Sequence, residues 1–316
     1  MHPLRGYFFI GTAAFFWGIS AALGRAVFTG RLRLGGAALH PIDPLILSQT
    51  RTTFSLLVLL PLLLARRGWE QIKLPARDIA STFLLGTLGV AVSNYFYYVA
   101  IERTNVATAI IVQYTAPVWV LLYVAARGQQ KLSLQKVAAV VLAVTGIALV
   151  IDLFKAGSGL HLDGYGLTAA LLASFSFAFY NVAGHRILAC HDRWRVLVWT
   201  LAFAAAFWLV VNSPWKIAAA HYAPAQWVFL FLFSMISVLG AFSFYFLGLQ
   251  YLEPTRAIIA SCLEPVFSIL LAALLLGEVL RPVQTLGIIL VLGAIVIVER
   301  PDRAGAGEPV MVEPIE

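Results

Sequence analysis

Ala109–Val118 reads AIIVQYTAPV, and Ala257–Val266 reads AIIASCLEPV, 148 residues further on. The same offset carries Phe96-Tyr97 onto Phe244-Tyr245. Each of the two longer stretches lies inside an apolar run and holds a proline at the same place, Pro117 and Pro265. Proline has no N–H to offer the carbonyl four residues back, so each one interrupts its helix. The carbonyls released are those of Gln113 and Ser261, themselves one offset apart. An unpaired carbonyl is costly in hydrocarbon, so these groups are expected to face a cavity or a side-chain partner. The fold then turns on how many apolar segments the chain has and how the two copies are oriented.

Composition answers the first question. Hydrophobic residues make up 61% of the 316 and charged residues 12%, about half the charge usual for a soluble domain. The chain reads as an all-α integral membrane protein. A spanning helix needs roughly 20 mostly apolar residues. Ten such segments are predicted, at Tyr7–Phe28, Pro44–Leu64, Ile79–Ile101, Asn105–Ala126, Leu134–Leu153, Gly164–Ile187, Val196–Asn212, Ala225–Tyr251, Pro254–Leu276 and Pro282–Val298. Strand alternation appears over no useful length. Pro44, Pro254 and Pro282 open their helices, where a missing N–H costs nothing. Met1–Gly18 has the charge and apolar run of a signal peptide, but further spans follow, and it is read as an uncleaved first span. The Gly-, Pro- and Glu-rich residues 300–316 read as a disordered tail.

Charge answers the second question. With the N-terminus inside, inner loops hold fourteen Lys and Arg, among them Arg66, Arg67, Lys73 and Arg77, and outer loops hold six. That excess predicts cytoplasmic N- and C-termini. Five helices per copy is an odd number, so the second copy enters the membrane upside down. Residues 1–153 and 154–299 form two inverted five-helix repeats in this reading. The first helices match too, at an offset of 156: Thr12-Ala13-Ala14 with Thr168-Ala169-Ala170, and Ser20 with Ser176. Inverted repeats of this kind mark secondary transporters that bind their solute between the copies.

Other classes fit poorly. The net charge of +7 is explained by topology-setting loops, with no basic stretch interleaved with aromatics, so no nucleic-acid partner is expected. Cys190 in a short loop and Cys262 in mid-helix give neither a disulfide framework nor a metal cluster. No nucleophile elbow, phosphate loop or zinc spacing appears, so no catalytic residue, metal or cofactor is expected, and ATP is not the driver. A membrane-embedded enzyme lacks its constellation. A scaffold or receptor leaves the paired proline breaks and an intramembrane acid unexplained.

The run Pro254-Thr255-Arg256-Ala257-Ile258-Ile259-Ala260-Ser261-Cys262-Leu263-Glu264-Pro265-Val266-Phe267 is followed by Leu274-Leu275-Leu276-Gly277-Glu278, then Gly287 and Gly293. Together with Phe16-Trp17-Gly18, Arg51 and Asp163-Gly164, it resembles the drug/metabolite transporter superfamily in its EamA-like branch, over roughly residues 7–299. The resemblance implies transport of a small polar or amphipathic solute such as an amino acid, a nucleotide sugar or a drug, with amino-acid export the first expectation. One departure stands out. Gly277-Glu278 aligns with Gln129-Gln130 in the first copy, so a symmetric role for that Glu is in doubt.

Glu264 is the only acid deep inside a predicted span. An intramembrane carboxylate is expensive and is a functional hypothesis by default. It either binds a substrate amine or a proton, or it holds its helix to a neighbour. Arg51 lies about 10 Å into its helix and suits a substrate carboxylate; the alternative is a helix-to-helix hydrogen bond. Arg25, near the outer end of the first helix, is a weaker candidate of the same kind. Trp17, Asn94, Tyr98, Gln113, Tyr114, Tyr180, Asn181 and Ser261 complete the expected cavity lining, with Pro117 and Pro265 as hinges. Ser234, Ser237, Ala241, Tyr245 and Gly248 form a stripe assigned to helix packing. His185 and His191 flank an inner helix end, as pH sensors or simply solvated loop residues. The expected setting is the inner (plasma) membrane, as a monomer or homodimer, with protons the coupling ion if there is one.

Overall fold

The computed structural model of the chain describes residues 3–28, 33–34, 37–38, 42–104, 106–129, 132–153, 163–276 and 281–299. The proposed tail and Gly277-Glu278 lie outside these residues, as does the side chain of Arg25. Helix α1 is Pro3–Phe28, and a two-residue antiparallel ladder, β1 (Arg33–Leu34) with β2 (Ala37–Ala38), follows it. Then come α2 (Pro44–Arg67), the short α3 (Trp69–Ile72), and α4 (Ala76–Leu84) with α5 (Val92–Arg103). Next are α6 (Val106–Gln113), α7 (Ala116–Ala126), α8 (Leu134–Val150), α9 (Gly164–Cys190), α10 (Arg193–Val211) and the short α11 (Pro214–Ala219). The last are α12 (Pro224–Ser234), α13 (Ala241–Leu249), α14 (Pro254–Ser261), α15 (Leu263–Leu276) and α16 (Pro282–Glu299). Pro44, Pro254 and Pro282 begin their helices as the sequence predicts.

Among the described residues, nine helical runs are long and apolar enough to cross a membrane. They are α1, α2, α4 with α5, α6 with α7, α9, α10, α12 with α13, α14 with α15, and α16. The tenth apolar helix, α8, has 17 residues and is about 25 Å long. It ends before the predicted Leu153 because Asp152 turns left-handed at φ 55°. The Leu153 N–H then reaches the Ala148 carbonyl, and the Asp152 N–H reaches that of Leu149, a Schellman closure.

Two crossings are not the plain helices the sequence suggests. Leu85–Ala91, between α4 and α5, and Met235–Gly240, between α12 and α13, are wound as π-helix. Residues 87–91 map onto 235–239 at the 148 offset, so this irregularity is duplicated as well. The wider turn leaves apolar composition unchanged, which is why it has no hydropathy mark. Such insertions are frequent at functional sites.

Small residues bring the helices together, as expected where lipid supplies no hydrophobic drive for association. One close approach is between α8 and α16. A Cβ on Gly146 would sit 2.8 Å from the Gly287 carbonyl oxygen, and one on Gly287 would sit 2.6 Å from that of Gly146. Helix α1 packs against both α13 and α15.

The face at which α1 begins is called proximal here, and the opposite face distal. Proximally, Arg67 Nη1 pairs with Asp192 Oδ1 at 2.7 Å, His191 Nε2 meets Asp78 Oδ2 at 3.2 Å, and Arg256 meets Glu299 at 3.4 Å. His191 is thus not a merely solvated loop residue, and His185 Nδ1 contacts the Leu249 carbonyl at 2.9 Å. Distally, Arg281 pairs with Asp152, and buried Asn212 donates to Gln49 Oε1 at 2.7 Å. The Asp43 N–H donates to the Tyr222 hydroxyl, whose pKa burial pushes up.

Candidate functional site

Both proline breaks fall where the repeat places them. Helix α6 stops at Gln113, Tyr114 and Thr115 form a turn, and α7 starts at Ala116 with Pro117 in its first turn. Helix α14 stops at Ser261, Cys262 forms the turn, and α15 starts at Leu263. Each break tightens to a three-residue bond, Thr115 N–H to the Val112 carbonyl and Cys262 N–H to that of Ile259, both 3.1 Å.

The two breaks meet through side chains. The Tyr114 hydroxyl donates to Glu264 Oε2 at 2.6 Å. Arg51, from α2, donates through Nη2 to the Asn94 side-chain oxygen Oδ1 on α5, and Asn94 Nδ2 donates onward to the Val90 carbonyl at 2.7 Å. That carbonyl belongs to the first π segment. Arg51 acts electrostatically on the Glu264 carboxylate, yet no ion pair forms between them among the described residues. Each charge is held by a neutral partner instead. The Arg51 Nε is buried with no hydrogen-bond partner. Glu264 sits ten residues beyond Pro254, about 15 Å from the proximal side. Arg51, seven residues beyond Pro44, is about 10 Å from the distal side. Their heights therefore nearly meet within a core about 30 Å thick.

A second polar group flanks this one. The Tyr245 hydroxyl donates to Asn181 Oδ1 and lies beside the Ser261 hydroxyl. Asn181 Nδ2 donates to the Phe177 carbonyl at 2.8 Å, and Ser261 Oγ donates to that of Ile258 at 2.7 Å. The Trp17 ring rests on Tyr245, with centroids 5.0 Å apart. Tyr180 stacks on Phe177, Tyr245 and Phe246, and its hydroxyl is buried without a partner.

Of the ten expected lining residues, eight fall into these two groups. Tyr114, Glu264, Arg51 and Asn94 make the first; Trp17, Tyr180, Asn181 and Ser261 sit in the second. Tyr98 packs on the Tyr97 ring, and Gln113 is half-buried at the end of α6. Tyr180, Asn181 and Ser261 are closed off from solvent. Pro117 and Pro265 are buried beside the breaks.

Sequence reasoning missed Tyr97 and Tyr245. Tyr97 interacts electrostatically with both Glu264 and Arg51. Tyr245, assigned to packing, is fully buried yet spends its hydroxyl on the Asn181 bond. The two tyrosines are equivalent at the 148 offset, so the repeat itself carried the signal. A separate cavity of about 540 Å³ contains none of the ten residues and lies between α4, α7 and α9.

The profile of the EamA-like transporter family matches residues 4–152 and again residues 164–300. Among characterised and uncharacterised relatives, an uncharacterised inner membrane transporter, YicL, of Salmonella typhimurium is 25% identical over 73% of this chain and 76% of its own. The threonine/homoserine exporter RhtA of Escherichia coli is 29% identical over 64% of each chain. Solute carrier family 35 member B1 of Gallus gallus is 27% identical over 66% of this chain and 65% of its own. A solved crystal structure superposes with a TM-score of 0.76 at 19% identity, covering 96% of this chain and 99% of that one. With its apolar helical crossings and a family profile matched over nearly its whole length, the chain is a multi-pass membrane protein that belongs to the EamA-like transporter family.

Proposed function

We propose that this protein is a secondary transporter in the inner (plasma) membrane that exports amino acids or closely related zwitterions by alternating access. One observation carries the reading. Arg51 and Glu264, one basic and one acidic, stand at nearly the same mid-membrane level, and each is held by a neutral partner rather than by the other. A zwitterion brings both missing countercharges. Its carboxylate suits the guanidinium, whose Nε lacks a partner, and its ammonium suits the carboxylate. Trp17 and Tyr98, both half-buried, supply aromatic surface for the side chain. The name of the threonine/homoserine exporter from Escherichia coli is in keeping with this solute class.

In this proposal residues 1–153 and 154–299 are inverted halves that rock about the breaks at Pro117 and Pro265. The proximal face is cytoplasmic, as the loop charge excess argues. Glu264 also takes up the coupling proton, since it is the one carboxylate at the centre of the site. Either a monomer or a homodimer accommodates the mechanism.

Reconstitution into proteoliposomes tests it. Flux of a labelled amino acid is expected, with the corresponding decarboxylated amine a poor competitor. Arg51→Ala is expected to raise the apparent KM for the amino acid, and Glu264→Gln to remove any response to an imposed pH gradient. No flux for any member of an amino-acid panel, from protein that remains monodisperse, defeats the substrate assignment. A pH response intact in Glu264→Gln removes that residue as the coupling site.

A further inference from the structure

We infer that the cleft between α4, α7 and α9 is a binding site for one anionic phospholipid, with an acyl chain in the cleft and its phosphate at Arg186. The cleft, about 540 Å³, is walled by Trp119, Phe175, Phe179 and Val182, and by Tyr123 and Arg186 at its proximal end. Phe175 and Phe179 are exposed on the outside of the bundle, as is Leu84 across the cleft. The opening is therefore lateral, toward lipid, rather than toward an aqueous loop. From Phe175 to Arg186 the α9 wall runs eleven residues, about 16 Å. That is close to half of the ~30 Å hydrocarbon core, the depth of one leaflet.

Charge selects the occupant. The Arg186 guanidinium lies against the Tyr123 ring, its carbon 5.5 Å from the centroid, and Arg127 approaches the same ring at 5.8 Å. Both arginines are exposed, and neither pairs with a carboxylate among the described residues. The nearby acid Asp78, on the same face, is engaged by His191 and Arg77. Two unpaired guanidiniums at the headgroup end of a one-leaflet apolar cleft match a lipid phosphate, which accepts their planar donor forks. A zwitterionic lipid brings its own ammonium and gains less. The site is distinct from the Arg51–Glu264 pair, and nothing in it depends on the transported solute.

Native mass spectrometry of the full chain, extracted from vesicles of equal phosphatidylglycerol and phosphatidylcholine, reads the preference directly. The wild type is expected to retain phosphatidylglycerol selectively. Arg186→Gln and Arg127→Gln are each expected to lower that preference roughly fivefold, the worth of one basic side chain at a lipid surface. Ala183→Phe, which fills the cleft and leaves both arginines in place, is expected to abolish retention. Equal retention of the two lipids by the wild type, or a preference that survives in the double arginine variant, overturns the proposal. Retention undiminished in Ala183→Phe shows that the arginines act as a bare surface charge and overturns the cleft assignment. Folding of each variant is checked by its monodispersity and thermal unfolding in detergent.

Discussion

The break at Tyr114-Thr115 and the break at Cys262 occupy the same place in the repeat and do different work. Both are set by a proline three residues on, Pro117 and Pro265. Yet the residue at the turn is Tyr114 in one and Cys262 in the other, and the position before the proline is Ala116 in one and Glu264 in the other. The hydrogen bond that joins the breaks runs from Tyr114 to Glu264, between positions that are not equivalents. Duplication supplied two matching kinks, and divergence then placed a donor on one and an acceptor on the other. The proposed site would gain polarity in this way: the two kinks match, but a carboxylate stands beside one of them only.

The largest effect expected from breaking this asymmetry is at the acceptor. Glu264→Ala removes the carboxylate and leaves the Tyr114 hydroxyl without its partner. In the proposed complex it also strips the solute ammonium of its countercharge, and losing one partner of a buried charge pair costs about 2–5 kcal/mol, so amino-acid counterflow should fall about thirtyfold or more. Glu264→Ala with near wild-type counterflow would reduce the Tyr114–Glu264 bond to a helix-packing contact. The donor side is expected to matter less. Tyr114→Phe keeps the ring and removes one hydrogen bond to a carboxyl group, worth about 1.5–3 kcal/mol, and a rate loss of roughly tenfold to a hundredfold should follow. An equal loss in Tyr114→Phe and Glu264→Ala would mean that Glu264 serves only to receive Tyr114.

The next test moves to the other duplicated pair, Tyr97 and Tyr245. Tyr245→Phe forfeits the bond to buried Asn181 and should lower thermal stability by about 1 kcal/mol. Tyr97 lies within electrostatic reach of Glu264 and Arg51, so Tyr97→Phe is expected to spare stability and shift the apparent KM instead. Thermal unfolding in detergent and initial rates in proteoliposomes separate the two outcomes. The same phenotype from both variants would say that the pair has not diverged in function.

How much of this could be read from the residues differs with the physics involved. Apolar length and loop charge act locally, so the helical crossings, their starts at Pro44, Pro254 and Pro282, and both proline breaks are legible. Glu264 and Arg51 stand out because a charge inside an apolar run is costly wherever the run packs. Their partners do not stand out in the same way. That Tyr114 reaches Glu264, 150 positions away, depends on how the turn between α6 and α7 is set against α15, and close contacts made elsewhere fix that placement. At Gly18, for example, an added Cβ would lie 2.6 Å from the Phe267 side chain. The π segments have no signature in composition, because one extra residue per turn leaves hydropathy untouched. Tyr245 was hidden for a further reason: a fully buried tyrosine among small residues reads as packing until its hydroxyl is seen to have a partner.

The smallest effect is expected at the position that mirrors Tyr114. Cys262 is fully buried, and its thiol reaches only a carbonyl of its own helix segment, Ile258, at 3.4 Å. It belongs to an apolar cluster of α7, α8, α14, α15 and α16 that also holds Tyr114. Cys262→Ala therefore deletes one packed atom and no hydrogen bond between the breaks, for about 1 kcal/mol of stability at most. The counterflow rate should stay within about twofold of wild type, since the substitution removes no hydrogen bond between the breaks. Cys262→Tyr is the sharper variant, because it restores on the second break the residue that the first one carries. The turn at Cys262 is enclosed on every side, so a phenol ring must displace its neighbours, and overpacking of this kind costs about 1–3 kcal/mol. Loss of stability in Cys262→Tyr beside near-silence in Cys262→Ala would place the asymmetry in the space around the two turns. A rate loss in Cys262→Ala comparable to that of Tyr114→Phe would instead mean that both breaks contact the solute, and the comparison between them would have to be drawn again.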